Sequence, residues 1–372
     1  MRILVTGDFY GGGRVEDMVI KCHYDEIFND FIPVIREADI AITNLESPLT
    51  HSLRAISKTG PAIKSDPALL KALKFAGFNL LTLANNHIMD YGNEGLEETL
   101  AHCRNGNMKW VGAGMNYSEA SSTCYLQVNG KSIAIINIAE NEWSTTAGVH
   151  PGAHPLNPVA NFYTIQEARK HAGFVLLIVH GGHELYSLPS PRMKETYRFF
   201  IDAGADAVIG HHTHYCSGYE YYRDKPIFYS LGNFIFDRPE KRDEKWEQGF
   251  AVIINHNGSK TDYELVPYCQ SAGKPGIYKL TGADRNKFFE NIERLNNIIG
   301  DDNKLEESFQ VFKKKVGKMY RAFIEPHNLR YLHVFQSRGW LPSFLTKRKK
   351  NLLLNLSRCE SHREVMVSIL ND

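Results

Sequence analysis

Five short stretches of this 372-residue sequence each close an apolar run with side chains that can hold a divalent cation or a phosphate. They are Gly7-Asp8 after ILVT, Asn44-Leu45-Glu46 after ADIAIT, Asn85-Asn86-His87 after LLTLA, His180-Gly181-Gly182-His183-Glu184 after VLLIV, and Gly210-His211-His212-Thr213-His214 after DAVI. An Asp or Asn beside glycine is ordinary turn chemistry, and a lone strand-end histidine is more often a satisfied structural residue than a ligand. Five strand ends in succession, each offering carboxylate, amide or imidazole, are not explained that way. Mixed oxygen and nitrogen donors with no cysteine beside them argue against a structural zinc knot and for Mn, Fe or Zn in an open catalytic site.

The elements that must position these groups are visible in the hydropathy pattern. Short apolar runs predict strands at Ile3–Thr6, Ile40–Asn44, Leu80–Ala84, Ser132–Ile138, Val175–Val179, Ala207–Ile209, Ile227–Tyr229 and Phe250–Ile254. Helical spacing of apolar residues predicts helices at Asp66–Ala76, Gly92–Arg104, Ile165–His171 and Ser190–Ala203. The alternation is that of an α/β domain, and such sheets place their sites just beyond the carboxyl ends of strands. From about residue 275 the strand signals stop. The reading is therefore an α/β domain over 1–270 and a mostly helical C-terminal appendage over 271–372.

Hydrophobic residues at 43% and charged residues at 23% are ordinary globular usage. A net charge of +1 supplies no basic field, so nucleic acid is not an expected partner. The six cysteines are scattered, which fits a reducing compartment, and no apolar run is long enough to cross a bilayer. A cytoplasmic location is expected. Lys347–Lys350 followed by NLLLNL suits peripheral contact with an anionic membrane surface, although a solvated helix face is the plainer reading. Gly11-Gly12-Gly13-Arg14 lacks the Lys-Ser/Thr of a nucleotide loop, and Arg14, Lys58 and Lys64 read as solvated charge or as cations greeting an anionic substrate. Oligomeric state leaves no signal in the sequence.

Taken in order, GD, NLE, NNH, HGGHE and GHHTH, then YSLGNF over Tyr229–Phe234, resemble the CapA family of poly-gamma-glutamate capsule biosynthesis proteins, a branch of the calcineurin-like metallophosphoesterases. The resemblance spans roughly 1–270 and extends to LANNHIMDYG, VGAG after Trp110 and FIDAGADAVIGHHTH. It implies a four-layer αββα sandwich with a two-metal site. Asp8, Asn86, His180, His212 and His214 would be ligands of two divalent ions (Mn, Fe or Zn), with Glu46 bridging them where the wider superfamily uses aspartate. His87, with Asn86, would act on the phosphate and help protonate the leaving oxygen. His183, His211, Asn233 and Glu184 are the candidates for substrate contact. Two cations about 3.5–4 Å apart can bind a phosphate, activate water near neutral pH and stabilise the leaving oxygen. A histidine outside the metal shell can serve as general acid.

Three positions depart from the pattern. Tyr10 stands where the wider superfamily has a ligand histidine, Gly181 where CapA-like chains often carry an aromatic residue, and His211 is one histidine too many for GHxH. The expected function is a metal-dependent hydrolase acting on a phosphoester or anionic polymer precursor in capsule, polyglutamate or envelope polysaccharide metabolism. The competing expectation is a non-catalytic accessory protein of capsule or polyglutamate assembly that binds metal and an anionic chain. A nucleotidase would need an aromatic base clamp, which the sequence does not place.

Overall fold

The computed structural model describes residues 1–238, 240, 243–258, 260–324 and 345–371. One sheet runs, edge to edge, Ile277–Lys279, Thr261–Gln270, Gln248–His256, Arg2–Tyr10, Ile40–Leu45, Leu80–Thr82 and Lys109–Val111, with Asn233–Phe236 also paired to Arg2–Tyr10. The second runs Tyr219–Tyr222, Lys225–Phe228, Ala207–His211, Phe174–His180, Lys131–Ala139 and Cys124–Val128. In both, the central strands are parallel and the hairpin strands lie at the edges.

Alternation along the strand Arg2–Tyr10 fixes the layers, because successive side chains point to opposite faces. Ile3 and Val5 join Ile133, Ile135 and Leu177 of the second sheet in one core. Leu4, and Phe9 beyond the register irregularity at Asp8, join Phe28, Phe31, Leu69 and Leu73 of the outer helices in another. Helices Pro158–His171 and Pro191–Asp202 contribute Ile165, Tyr197 and Phe200 beside the second sheet. The result is the helix, sheet, sheet, helix sandwich expected from the sequence.

All eight expected strands are present, several longer than expected. The first continues through Gly7 and Asp8 to Tyr10, so Asp8 lies within paired strand rather than beyond it. Gly7 makes this possible. A Cβ at Gly7 would stand 1.9 Å from the Gly232 carbonyl oxygen, in a backbone that cannot yield as a side-chain tip can. Gly7→Ala is expected to cost at least the upper end of the roughly 1–3 kcal/mol typical of overpacking, read as a lowered thermal midpoint.

The boundary at 270 falls short of the sheet's end, because Ile277–Lys279 still pairs with Thr261–Gln270. The helix that follows, Gly282–Ile299, buries Phe288, Ile292, Leu295 and Ile299 in the main core. At about 1.5–3 kcal/mol for each fully buried side chain, that contact holds this helix to the domain. The remaining helices, Asp302–Ile324, Lys347–Arg358 and Glu360–Asn371, share a small apolar cluster of their own around Tyr320, Leu356, Val365 and Ile369. Lys347, Arg348 and Lys350 are exposed at the start of their helix. Among the described residues no helix is long and apolar enough to cross a membrane.

These last helices dock on the domain through Leu305, Phe309 and Phe312 and through a set of polar contacts. Buried Glu140 accepts from Arg192 (2.7 Å), the Ser361 hydroxyl (2.6 Å) and the Gly182 amide (3.1 Å). Glu364 accepts from Ser190 and Arg192, and Glu360 from the Asn141 amides. Gly181 is small for this reason, since a Cβ there would meet Glu140 at 2.7 Å. Burial alone would raise the Glu140 carboxyl, yet Arg192 and the hydrogen bonds hold it below the ordinary range, and Glu364 is lowered similarly. A carboxyl depressed by folding contributes stability that is complete above its unfolded value, about 4.3 for Glu, and is lost as pH falls through the folded value. Docking is therefore expected to be constant from pH 6 to 8 and to fail below about pH 4. Limited proteolysis across pH checks this. Arg192→Ala, which strands a buried carboxylate, is expected to cost about 3–5 kcal/mol.

Candidate metal centre

The strand ends bring Asp8, Glu46, Asn86, His180, His212 and His214 into one buried cluster. His180 Nε2 lies 3.0 Å from Asn86 Oδ1, 3.0 Å from His212 Nδ1 and 3.6 Å from Glu46 Oε1. His214 Nε2 lies 4.0 Å from the same Glu46 oxygen, and His214 Nδ1 4.0 Å from Asp8 Oδ2. Two donor sets emerge, Asp8-Glu46-His214 and Glu46-His180-His212, each with ligand atoms within 4.8 Å of one another. Glu46 belongs to both, which is the position of a bridging carboxylate.

The fit to cations rests on what these groups lack. Both Glu46 carboxylate oxygens are buried with no hydrogen-bond partner, a costly state for an acid in a protein interior. Burial first, then Asp8, Glu184 and Glu142, push its carboxyl well above the ordinary range. Burial also drives His180 well down and His214 to about 4, so their imidazoles are neutral and keep a lone pair at neutral pH. Clustered neutral imidazoles around an unsatisfied carboxylate suit divalent ions.

Neighbouring groups orient the cluster. Asn44 donates to Asp8 Oδ1 at 2.7 Å, and the His212 amide donates to Asp8 Oδ2 at 3.0 Å. His212 and His214 both take positive φ, 90° and 59°, an uncommon backbone for non-glycine residues that aims alternate imidazoles into the cluster. Asn233, expected to contact substrate, instead stands behind His214, with its Oδ1 2.9 Å from Nδ1 and its amide donating to the Trp246 carbonyl. A partner that orients a metal-binding histidine typically governs affinity 10–100-fold. Asn233→Ala is expected to weaken manganese binding within that range, measured by calorimetric titration.

His211 is likewise not a wall of the site. Its Nε2 donates to the Thr6 carbonyl at 3.0 Å, tying the two sheets together behind the cluster. Tyr10 joins neither donor set, because its ring packs with Ile63, Phe236 and Trp246. The Asp8-Glu46-His214 set is thus the poorer in protein ligands.

A cavity of about 590 Å³ opens in front of the cluster, lined by Asn86, His87, His183, Glu184, His212 and His214 among others. His87 Nδ1 is 2.6 Å from Asp90 Oδ2, and Lys58 Nζ donates to the other Asp90 oxygen at 2.5 Å. Lys58 is thus not solvated surface charge; its side chain is 4% exposed and it faces the cavity. Arg14 and Lys64 are engaged elsewhere, by Asp237 and by the His51 and Ser52 carbonyls. His183 joins neither donor set. Its Nε2 lies 3.5 Å from Glu364, and its ring packs on Phe309 and Phe312 of the appendage.

Sequence reasoning missed Glu142, whose Oε1 lies 3.5 Å from His212 Nε2, and the roof that Phe312, Lys315, Tyr320, Leu352, Asn355 and His362 build over the cavity. The strand Lys131–Ala139 runs into Glu140-Asn141-Glu142, the same strand-end signal as the other five. The roof had no such signal.

Residues 2–238, most of the sandwich that carries the cluster, match the family described as bacterial capsule synthesis protein PGA_cap. The chain belongs to that family. It is 32% identical over 310 residues to a Bacillus anthracis protein named capsule biosynthesis protein CapA, covering 79% of this chain and 73% of the relative. It is 35% identical over 237 residues to the PGA biosynthesis protein CapA of Bacillus subtilis, covering 63% of this chain and 62% of that protein. A Mycobacterium tuberculosis protein named "Probable polyglutamine synthesis accessory protein" is 26% identical over 213 residues, 54% of this chain and 56% of its own. The PGA_cap chain thus spans less than two thirds of two of these three relatives.

Proposed function

We propose that this PGA_cap protein is a metal-dependent hydrolase of the metallophosphoesterase type, acting on a phosphoester or anionic polymer precursor in capsule or polyglutamate metabolism. The observation that carries the reading is Glu46, doubly unsatisfied and shared by two donor sets. Asp8, Glu46 and His214 would hold one cation, and Glu46, Asn86, His180 and His212 the other. Bound cations supply charge stabilisation and an activated water.

The chain's own groups supply the rest. Lys58 brings positive charge to the cavity wall, where an anionic group must enter. Asp90 fixes the Nδ1 side of His87, which leaves the Nε2 lone pair to take a proton from the attacking water and, once charged, to pass it to the leaving oxygen. Glu184 and His183 lie on the same wall, in reach of the remainder of a substrate. The appendage residues that line the cavity would restrict entry to it.

Manganese-loaded protein is expected to turn over a generic aryl phosphate or aryl phosphate diester, and Asn86→Ala to abolish that turnover. Bound metal with no turnover in Mn, Fe or Zn would favour the accessory reading instead. That second reading draws support from Tyr10, which leaves one donor set short of a histidine, and from the name of the M. tuberculosis relative.

A further inference from the structure

We propose that Glu142, Cys359 and His362 form a third cation site, selective for zinc, that clamps the C-terminal helices onto the catalytic domain. One ligand atom from each residue lies within 4.8 Å of the others, and Glu142 and Cys359 are buried. The three come from separate parts of the chain: Glu142 follows the strand Lys131–Ala139, Cys359 ends the helix Lys347–Arg358, and His362 lies in the first turn of Glu360–Asn371.

Two further observations point to a ligand there. The Glu142 side chain is 10% exposed and lines the cavity, yet its carboxylate accepts no hydrogen bond from a described residue; its near neighbour is His212 Nε2 at 3.5 Å. One helical turn before Cys359, Asn355 also lines the cavity, and its Oδ1 is buried without a donor. A buried acceptor without a donor, as Asn355 Oδ1 is, is rare, and a cation answers it.

The donor types select the ion. Thiolate, imidazole and carboxylate together are the ligands of zinc, whereas the sulfur disfavours manganese, magnesium and calcium. The Tyr320 hydroxyl lies 2.6 Å from His362 Nδ1, fixing the ring from behind and leaving Nε2 for the ion, the usual support of a ligand histidine. Zinc uptake converts the Cys359 thiol to thiolate and releases its proton to solvent. The site has a structural consequence, because a shared ion would fasten two appendage helices to the loop after Lys131–Ala139, beside the contacts made there by Glu140, Glu360 and Glu364.

Cobalt(II) in metal-stripped full-length protein tests this, since no donor of the Glu46 centre is a cysteine. A thiolate-to-cobalt charge-transfer band in the near ultraviolet is expected, lost in Cys359→Ser and weakened at limiting cobalt in His362→Gln. The band is expected to survive in Glu46→Gln, which separates this site from the paired centre. Absence of the band in the unaltered protein, or its persistence in Cys359→Ser, would overturn the proposal. His362→Gln covers the case in which the serine variant does not fold, and an unchanged cobalt titration there overturns it equally.

Discussion

Replacing Glu46 with glutamine is expected to strip manganese from both positions together while making the metal-free protein more stable. The two effects have one cause. The carboxylate is buried beside Asp8 with neither oxygen paired, so without cations it is a liability of the order of 1–3 kcal/mol. Glutamine keeps the shape and removes the charge, relieving that cost. With cations the sign reverses. A ligand at a hundred times its dissociation constant stabilises the folded state by about 2.7 kcal/mol, and a variant that no longer binds gains nothing. Thermal denaturation with and without manganese should therefore show a higher midpoint for the metal-free variant and a manganese-dependent rise in the parent alone. Equal manganese shifts in both would mean that Glu46 is not a shared ligand.

His87→Ala should separate chemistry from metal binding. His87 is not in either donor set, and its Nδ1 is committed to Asp90. Burial first, and then the Lys58 charge, lower its basicity, so it rests neutral with a lone pair at Nε2 that takes a proton before returning it to the leaving oxygen. General acid or base groups contribute typically 10²–10⁴-fold. Turnover of an aryl phosphate is expected to fall within that range while manganese content stays unchanged. A variant that loses manganese, or keeps full turnover, would remove His87 from the proposed role.

Much of this centre was legible because one rule governs it. Buried parallel strands read as short apolar runs, and whatever polar residues follow them arrive at a common edge. That rule picks out the five turns that carry Asp8, Glu46, Asn86, His180, His212 and His214, the resemblance to the CapA family singles out these residues within them, and in the fold all six meet. The rule says nothing about what a residue does once there. His211 and His212 are adjacent in sequence, yet strand alternation and a positive φ send one to the Thr6 carbonyl and the other to the cluster. The Asn233 side chain reaches the centre through His214, a pairing across 19 residues that no local pattern encodes.

The appendage was legible as helix and not as roof. Apolar periodicity marks Phe312, Leu352 and Leu356 as packing residues without saying what they face. The contacts that aim them, such as Ser361 on Glu140 across 221 residues, depend on tertiary placement. Lys58 reads as surface charge for the same reason. Its partner Asp90 lies 32 residues away, and only the fold brings both beneath the cavity floor.

Anomalous diffraction from crystals soaked in manganese tests the central claim most directly. Two peaks about 3.5–4 Å apart are predicted, both within bonding distance of the Glu46 carboxylate, one beside Asp8 and His214 and the other beside Asn86, His180 and His212. A map with no peak at Glu46, or with manganese held away from these side chains, would contradict the account.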